Sequence, residues 1–357
     1  MHSLSCVQAI VGGCAPYDGA MRILFVILAV LLLVPGWTGE ERLALLGDKP
    51  QLVAMRVDLD PADPVRKHLG ALTYLGGVAL RSIDPAFGGY SSLAVVRQAD
   101  GDRFTLLSDG GNVVSFTMGS DWKPRRLRFL NLPAGPGIGW EKRDRDSESM
   151  AIEPNTGRIW VGFERYNAIW RYASGFTRAE AQRAPRTMDP WPNNGGPESL
   201  ARLPDGRFVT ISEEMHVPTR RWRGLESDRV HSRDALIFPG DPITTRPVHF
   251  AYMPYGRFDP ADATALPNGD LLVLDRSFRL PYRFGNRLSL VPAAALREGG
   301  VARGRLLASL ESPLIHDNLE GVTTTVEGGA TIVWLVSDDN QSMLQRTLLL
   351  KFRLDRR

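Results

Sequence analysis

The sequence predicts an all-β protein built as a propeller. Short apolar runs replace helical periodicity, one strand–turn–strand pattern recurs five times, and nearly every copy is bracketed by carboxylates. The runs, such as 158–163, 207–212, 271–275, 331–337 and 348–352, are separated by Gly, Pro, Asn and Asp. Runs of that length between turn formers read as strands. Asp205-Gly206 and Asn268-Gly269 add hairpin-turn signals. Only 177–183 and 292–297 read as short helices.

The five copies are SSLAVVRQADGDRFTLLSD (91–109), ESMAIEPNTGRIWVGFE (148–164), ESLARLPDGRFVTISE (198–213), DATALPNGDLLVLD (262–275) and EGVTTTVEGGATIVWLVSD (320–338). Each opens on an acid (Ser in the first) and a small residue, turns at a Gly and closes on a carboxylate. Their starts lie 57, 50, 64 and 58 residues apart, a spacing that fits propeller blades and is too long for a β-helix. Six blades are expected, with five as the alternative. The stretch around 72–83 and the strand 348–354 are expected to share the ring closure.

Ahead of the repeats, 23–34 is an apolar run behind Arg22, followed by Pro35 and small residues. It is shorter than the about 20 residues a membrane span needs and has the pattern of a secretory signal. Residues 1–38 are therefore expected to be an extension plus signal peptide, and 39–357 the propeller. The alternatives are an uncleaved membrane anchor and a start at Met21. Cys6 and Cys14 both precede the run, so a chain from which the signal is removed is expected to have no thiol for nucleophilic or zinc–thiolate chemistry. A net charge of +3 with interspersed signs argues against a nucleic-acid partner. A monomer in the periplasm or outside the cell, without a stable membrane span, is expected.

Equivalent positions of propeller blades fall on one ring about the axis. Glu148, Glu198, Asp262 and Glu320 open first strands, whereas Asp109, Glu164, Glu213, Asp275 and Asp338 end second strands. If paired strands are antiparallel, both sets converge on one mouth, where their charges require neutralising. A hard cation such as Ca²⁺ takes about six to eight oxygens. Its candidate ligands are Glu148, Glu164, Glu213, Asp262, Asp275, Asp338 and Asp109, with Asn194, Asn318 and Asn340 as amide donors. The other neutraliser is arginine, from Arg165, Arg276 or Arg346, and arginine also grips phosphate. About half of these carboxylates are expected only to cap turns. His316, near Glu320, is the first general acid/base candidate and His216 the second. Ser91 and Ser92 stand where the first copy lacks its acid. No G-x-S-x-G elbow, P-loop, Rossmann fingerprint or H-E-x-x-H motif is present.

Several of these segments resemble the phytase-like family, also described as having esterase-like activity of phytase. The matching elements are LLSDGG (106–111), DSESMAIEPNTGRIWVGFE (146–164), NGGPESLARLPDGRFVTISEE (194–214) and PADATALPNGDLLVLDRSF (260–278). DNLEGV (317–322) followed by VSDDN and QRTLLLKF within 336–352 is the most specific part. The resemblance covers about 72–354 and implies an exported bacterial propeller that hydrolyses phosphate or other esters, with calcium as the ion. It carries site roles onto Glu148, Glu164, Glu198, Glu213, Asp262, Asp275, Glu320 and Asp338. Asp275 stands where many relatives carry Glu, and Leu319 where an aromatic is common.

The leading expectation is thus an exported, metal-assisted ester hydrolase. Glu320, His316 and Glu198 would be catalytic, and Arg165, Arg276 and Asn318 would hold a small anionic or ester substrate. A non-catalytic envelope propeller that binds a ligand or protein, and a lactone or sugar-ester hydrolase, are the alternatives.

Overall fold

A computed structural model describes residues 21–28, 42–217, 222, 231–280 and 283–355. Two units separate, Met1–Glu41 and Arg42–Arg357. In the first, residues 21–28 are helical; both cysteines and 29–34 of the apolar run lie outside the described residues. No helix among the described residues is long and apolar enough to cross a membrane.

The second unit opens with β1 (Val53–Val57), β2 (His68–Leu69) and β3 (Leu72–Arg81). Blade I follows as β4 (Tyr90–Gln98), β5 (Gly101–Ser108), β6 (Asn112–Met118) and β7 (Arg125–Asn131). Blade II is β8 (Ser147–Ile152), β9 (Ile159–Phe163), β10 (Ala168–Tyr172) and β11 (Ala179–Arg183). Blade III is β12 (Ala201–Arg202), β13 (Phe208–Ile211), β14 (Arg233–Phe238) and β15 (Val248–Met253), with β19 (Val301–Arg303) added in parallel outside β15. Blade IV is β16 (Asp259–Ala265), β17 (Leu271–Arg279), β18 (Arg283–Val291) and β20 (Arg305–Leu310). Blade V joins β21 (Asn318–Glu327), β22 (Ala330–Asp338) and β23 (Thr347–Leu354) to β3 and β1.

The innermost strands β4, β8, β12, β16 and β21 each contact the next, and β21 returns to β4, so the ring closes. Five blades form it, not six. The N-terminal strands make no blade of their own; β3 pairs antiparallel with β23, Leu72 opposite Leu354 and Leu80 opposite Thr347, and becomes an outer strand of blade V. The ring closure is therefore shared between the two ends of the domain.

Each blade is covered on both faces by its neighbours, so its middle strands can be buried on both sides rather than on alternate residues. Every residue of β6 (NVVSFTM) and β9 (IWVGF) is buried. Aromatic rings fill the wedges: Phe104 of blade I meets Trp334 of blade V edge-on at 4.8 Å between centroids, and Trp160 of blade II meets Phe208 of blade III at 4.8 Å. The helix expected at 177–183 is instead the edge strand β11, paired with β10, because cross-strand pairing outweighs a short segment's intrinsic preference. The second expected helix is reduced to a 3₁₀ turn at Ala293–Ala295.

Leu350 is fully buried in β23 beside Leu72 and Leu335, where the two ends of the domain meet. Leu350→Ala should lower the unfolding free energy by about 2–5 kcal/mol in denaturant titrations. A loss below about 0.5 kcal/mol, typical of a surface change, would show that this seam does not hold the ring.

Candidate functional site

The inner strands share one irregularity at the same end. Register slips by one residue between Tyr90 and Ser92, Ser147 and Ser149, Pro260 and Asp262, and Leu319 and Gly321. In blade III, Pro197 opposite Ser212 and Ala201 opposite Val209 require the same excess residue. These are β-bulges, which leave one residue unpaired and re-aim its side chain. The extra residues are Ser91, Glu148, Ala261 and Glu320, with Glu198 as the blade III counterpart. On the neighbouring strand, the residue that follows the partner of the position just ahead of each bulge is Asp109, Glu164, Glu213, Arg276 and Asp338 in turn.

The fourth repeat is therefore out of frame by one residue with its alignment in the sequence. Ala261 stands where three other blades have Glu, and Arg276 where the rest have a carboxylate. Asp262 and Asp275 fall beside the ring positions and join neither group of close carboxylates described below. Asp262 accepts the backbone N–H of Val322 in blade V and of Ala263, both at 2.8 Å. Asp275 accepts the Tyr252 hydroxyl of blade III at 2.8 Å and the Ser289 hydroxyl at 2.9 Å. Burial pushes Asp262 well above the usual carboxylate range and Asp275 up to about 7. Both tie blades together.

The remaining acids converge. One oxygen each from Asp146, Glu148 and Glu164 lie within 4.8 Å of one another, as do those from Glu164, Glu198 and Glu213. Glu164 belongs to both groups. Asp146 was not among the expected ligands; its one signal is the D-S-E spacing ahead of Glu148. Burial, then the neighbouring acids, pushes Glu148 and Glu198 well above the ordinary range. Glu164 is raised by burial and accepts hydrogen bonds from the Glu198 carboxyl and the Gly195 and Gly196 amides. Asp146 is pushed up to about 7 by burial and by Glu164 and Asp109. Burial also raises Asp338, with Glu320 and Asp109 adding to it.

Among the described residues, cations meet only part of this charge. Arg276 reaches Glu213 Oε1 from Nη2 at 2.7 Å and from Nε at 3.2 Å, and also holds Glu320. Asn318 donates to Glu320 at 2.7 Å. Burial raises Glu320 although Arg276 opposes the shift. Lys142 pairs with Asp109 at 2.7 Å, and Arg165 lies 3.6 Å from Asp146. Arg346 lies 3.6 Å from Asp317, outside both groups, and Asp338 accepts the Asn340 amide at 2.6 Å. The blade IV side is thus held by arginine, while Asp146, Glu148, Glu164 and Glu198 remain crowded on the blade II–III side. Oxygen-only donors at this separation suit a hard cation, with water or Glu213 completing its shell.

The histidines lie elsewhere. His316 Nδ1 faces the Leu314 carbonyl at 2.6 Å and His216 Nδ1 the Ser232 carbonyl at 2.9 Å; neither hydrogen-bonds to a ring carboxylate. Ser91 donates to the Ser147 carbonyl at 2.6 Å, a tie between blades I and II. Ser92 is fully buried, and its hydroxyl makes no hydrogen bond among the described residues. A pocket of about 370 Å³ opens beside the ring, lined by Glu213, Arg276, Asn318, Phe278, Phe284 and Asn340.

Five blades around an acidic mouth define a carboxylate-lined β-propeller. Residues 85–341 match the phytase-like family, described by the esterase-like activity of phytase, and the chain belongs to that family. A comparison with curated proteins finds no match. Among solved structures, a protein of unknown function from Dyadobacter fermentans is similar at 10% identity and a TM-score of 0.44, over 80% of this chain and 100% of that one. The Cps50 propeller domain of Myceliophteria thermophila is similar at 9% identity and a TM-score of 0.39, over 84% and 98%. Hydrazine synthase from Kuenenia stuttgartiensis is similar at 11% identity and a TM-score of 0.36, over 71% of this chain and 58% of its own.

Raised carboxyl pKa values reverse the usual acid dependence of stability. A group whose pKa is higher when folded binds its proton more tightly in the native state, and its stabilisation is lost as pH rises through the folded value. Metal-free protein should therefore show a Tm that falls between about pH 5 and 8, with Asp146 and Asp275 titrating near 7. Added Ca²⁺ should reduce that fall. Calorimetry in chelator that finds Tm rising over this range would contradict the crowding.

Proposed function

We propose that the chain is a metal-assisted hydrolase of phosphate or other esters, acting at the acidic mouth. The observation that carries this reading is the pair of three-carboxylate groups joined through Glu164 and left, among the described residues, without a full set of cationic partners. Asp146, Glu148, Glu164, Glu198 and Glu213 would hold the ion, for which Ca²⁺ is our assignment because every donor is oxygen. When bound, the ion polarises a phosphoryl or acyl oxygen and makes a nearby water more acidic.

The side chains supply the rest. Once the bound ion has displaced the proton that Glu198 shares with Glu164, the Glu198 carboxylate would take a proton from the attacking water and return it to the leaving oxygen; its burial beside Glu164 supports that role. Arg276 and Asn318 fix Glu320 and face the adjoining pocket, where the guanidinium can also hold an anionic substrate oxygen. Arg165 lies at the rim, 41% exposed, and can turn to the same charge. His316 stands farther out and is better suited to contact substrate than to relay the first proton. Export to the periplasm or beyond is part of the proposal; it rests on the apolar run at 23–34 and on both cysteines preceding it.

Glu164 also gives a second reading its footing. Its bonds to the Gly195 and Gly196 amides join blade II to the blade III entry loop, as a purely structural acid would. A non-catalytic binding propeller would need no more. The two are separated by turnover on a panel of phosphate and carboxylic esters. The hydrolase reading predicts activity that chelator abolishes and that Glu198→Gln lowers about 100-fold or more in kcat, with Tm unchanged or higher. Activity indifferent to both treatments, or none on any ester, would overturn it.

A further inference from the structure

At the mouth end of blade IV, strands β17 and β18 set Arg279 directly opposite Arg283. Like charges in that position weaken a hairpin. Both are exposed, and neither forms an ion pair among the described residues. They border a cavity of about 460 Å³ together with Ser277, Ser312, His316 and Glu311. Because His316 Nδ1 faces a carbonyl, that nitrogen carries a hydrogen and Nε2 is the ring atom left for a ligand. Among the described residues, Glu311 is the one carboxylate on the wall, and it too forms no ion pair there. Ser277 and Phe284 line this cavity and the pocket beside Arg276 alike, so the two spaces adjoin.

We propose that this cavity is an oxyanion subsite. It receives a second, non-reacting anionic group (phosphate, sulfate or carboxylate) of an ester whose scissile end lies at the carboxylate mouth. Two guanidinium groups supply forked donors suited to such a group, and the serine hydroxyls and imidazole add single bonds. The anion would relieve the repulsion between Arg279 and Arg283, so the hairpin is completed by its ligand. Neutral esters would leave the cavity unused. Its placement beside the reacting centre rests on the hydrolase reading, whereas anion binding itself does not.

The test uses full-length protein in chelator, titrated with inorganic phosphate and followed by calorimetry and by the His316 ring signals in NMR. Saturable millimolar binding that moves those signals is expected, and Arg279→Gln with Arg283→Gln should weaken it about tenfold or more. Both residues are exposed and repel each other, so the double variant is expected to fold. In turnover it should raise KM about tenfold for an ester with a distal anionic group and leave KM for a neutral ester as it was. Phosphate binding equally well to the double variant, or not moving His316, overturns the subsite. If no ester is turned over by the parent protein, the hydrolase reading falls while the phosphate titration still decides the subsite.

Discussion

A one-residue bulge at the mouth end of each inner strand is the feature on which the site depends. Without it, strict alternation along the strand would set Glu148, Glu198 and Glu320 in the ordinary pairing register of their blades. With it, each becomes an unpaired extra residue at an equivalent place on the ring, beside the carboxylate that ends the neighbouring strand. The resulting crowding is costly in a partly dry mouth. Three features answer that cost: a raised proton affinity at Glu148, Glu198 and Asp338, a guanidinium from Arg276, and carboxylate groups spaced for a hard cation.

Departure of the fourth repeat from the pattern gives the mouth its direction. Ala261 removes one acid, and Arg276 converts a neighbouring position to positive charge. Glu213 and Glu320 are drawn toward that arginine, while Asp146, Glu148, Glu164 and Glu198 keep their mutual repulsion. A ring with near five-fold repetition thereby acquires an acid-crowded side and an arginine side. The pocket lined by Arg276, Asn318 and Phe284 opens on the latter. Fold repetition builds the cluster, and one irregular repeat gives it polarity.

Much of this was legible in the residues. Recurrence of an acid, a small residue, a Gly turn and a closing acid identified the blades, because each blade must meet the same packing demands. The pairing of the first and last strands followed from apolar runs left over at both ends. Blade number was less visible, since leftover strands can form a blade or complete one, and only pairing with β23 decides. Frame in the fourth repeat was hidden for a related reason. Asp262 and Asp275 mimic the acidic bracket one residue away from the true positions, and sequence has no marker for a bulge beside Ala261. Asp146 escaped because it belongs to the loop before the strand, outside the repeated unit.

Blade-to-blade ties explain why so many acids are affordable in one domain. Asp262 and Asp275 satisfy buried donors on neighbouring blades, and Glu164 does so while also facing the cluster. The central claim is that the remaining charge is arranged around a divalent ion on the blade II–III side. Anomalous diffraction from crystals grown with Ca²⁺ and then exchanged with Tb³⁺ tests it most directly. The account predicts a strong peak within bonding distance of Glu164 and of oxygens from Glu148 and Glu198. Well-ordered carboxyls in that place with no peak, at saturating ion and neutral pH, would contradict it.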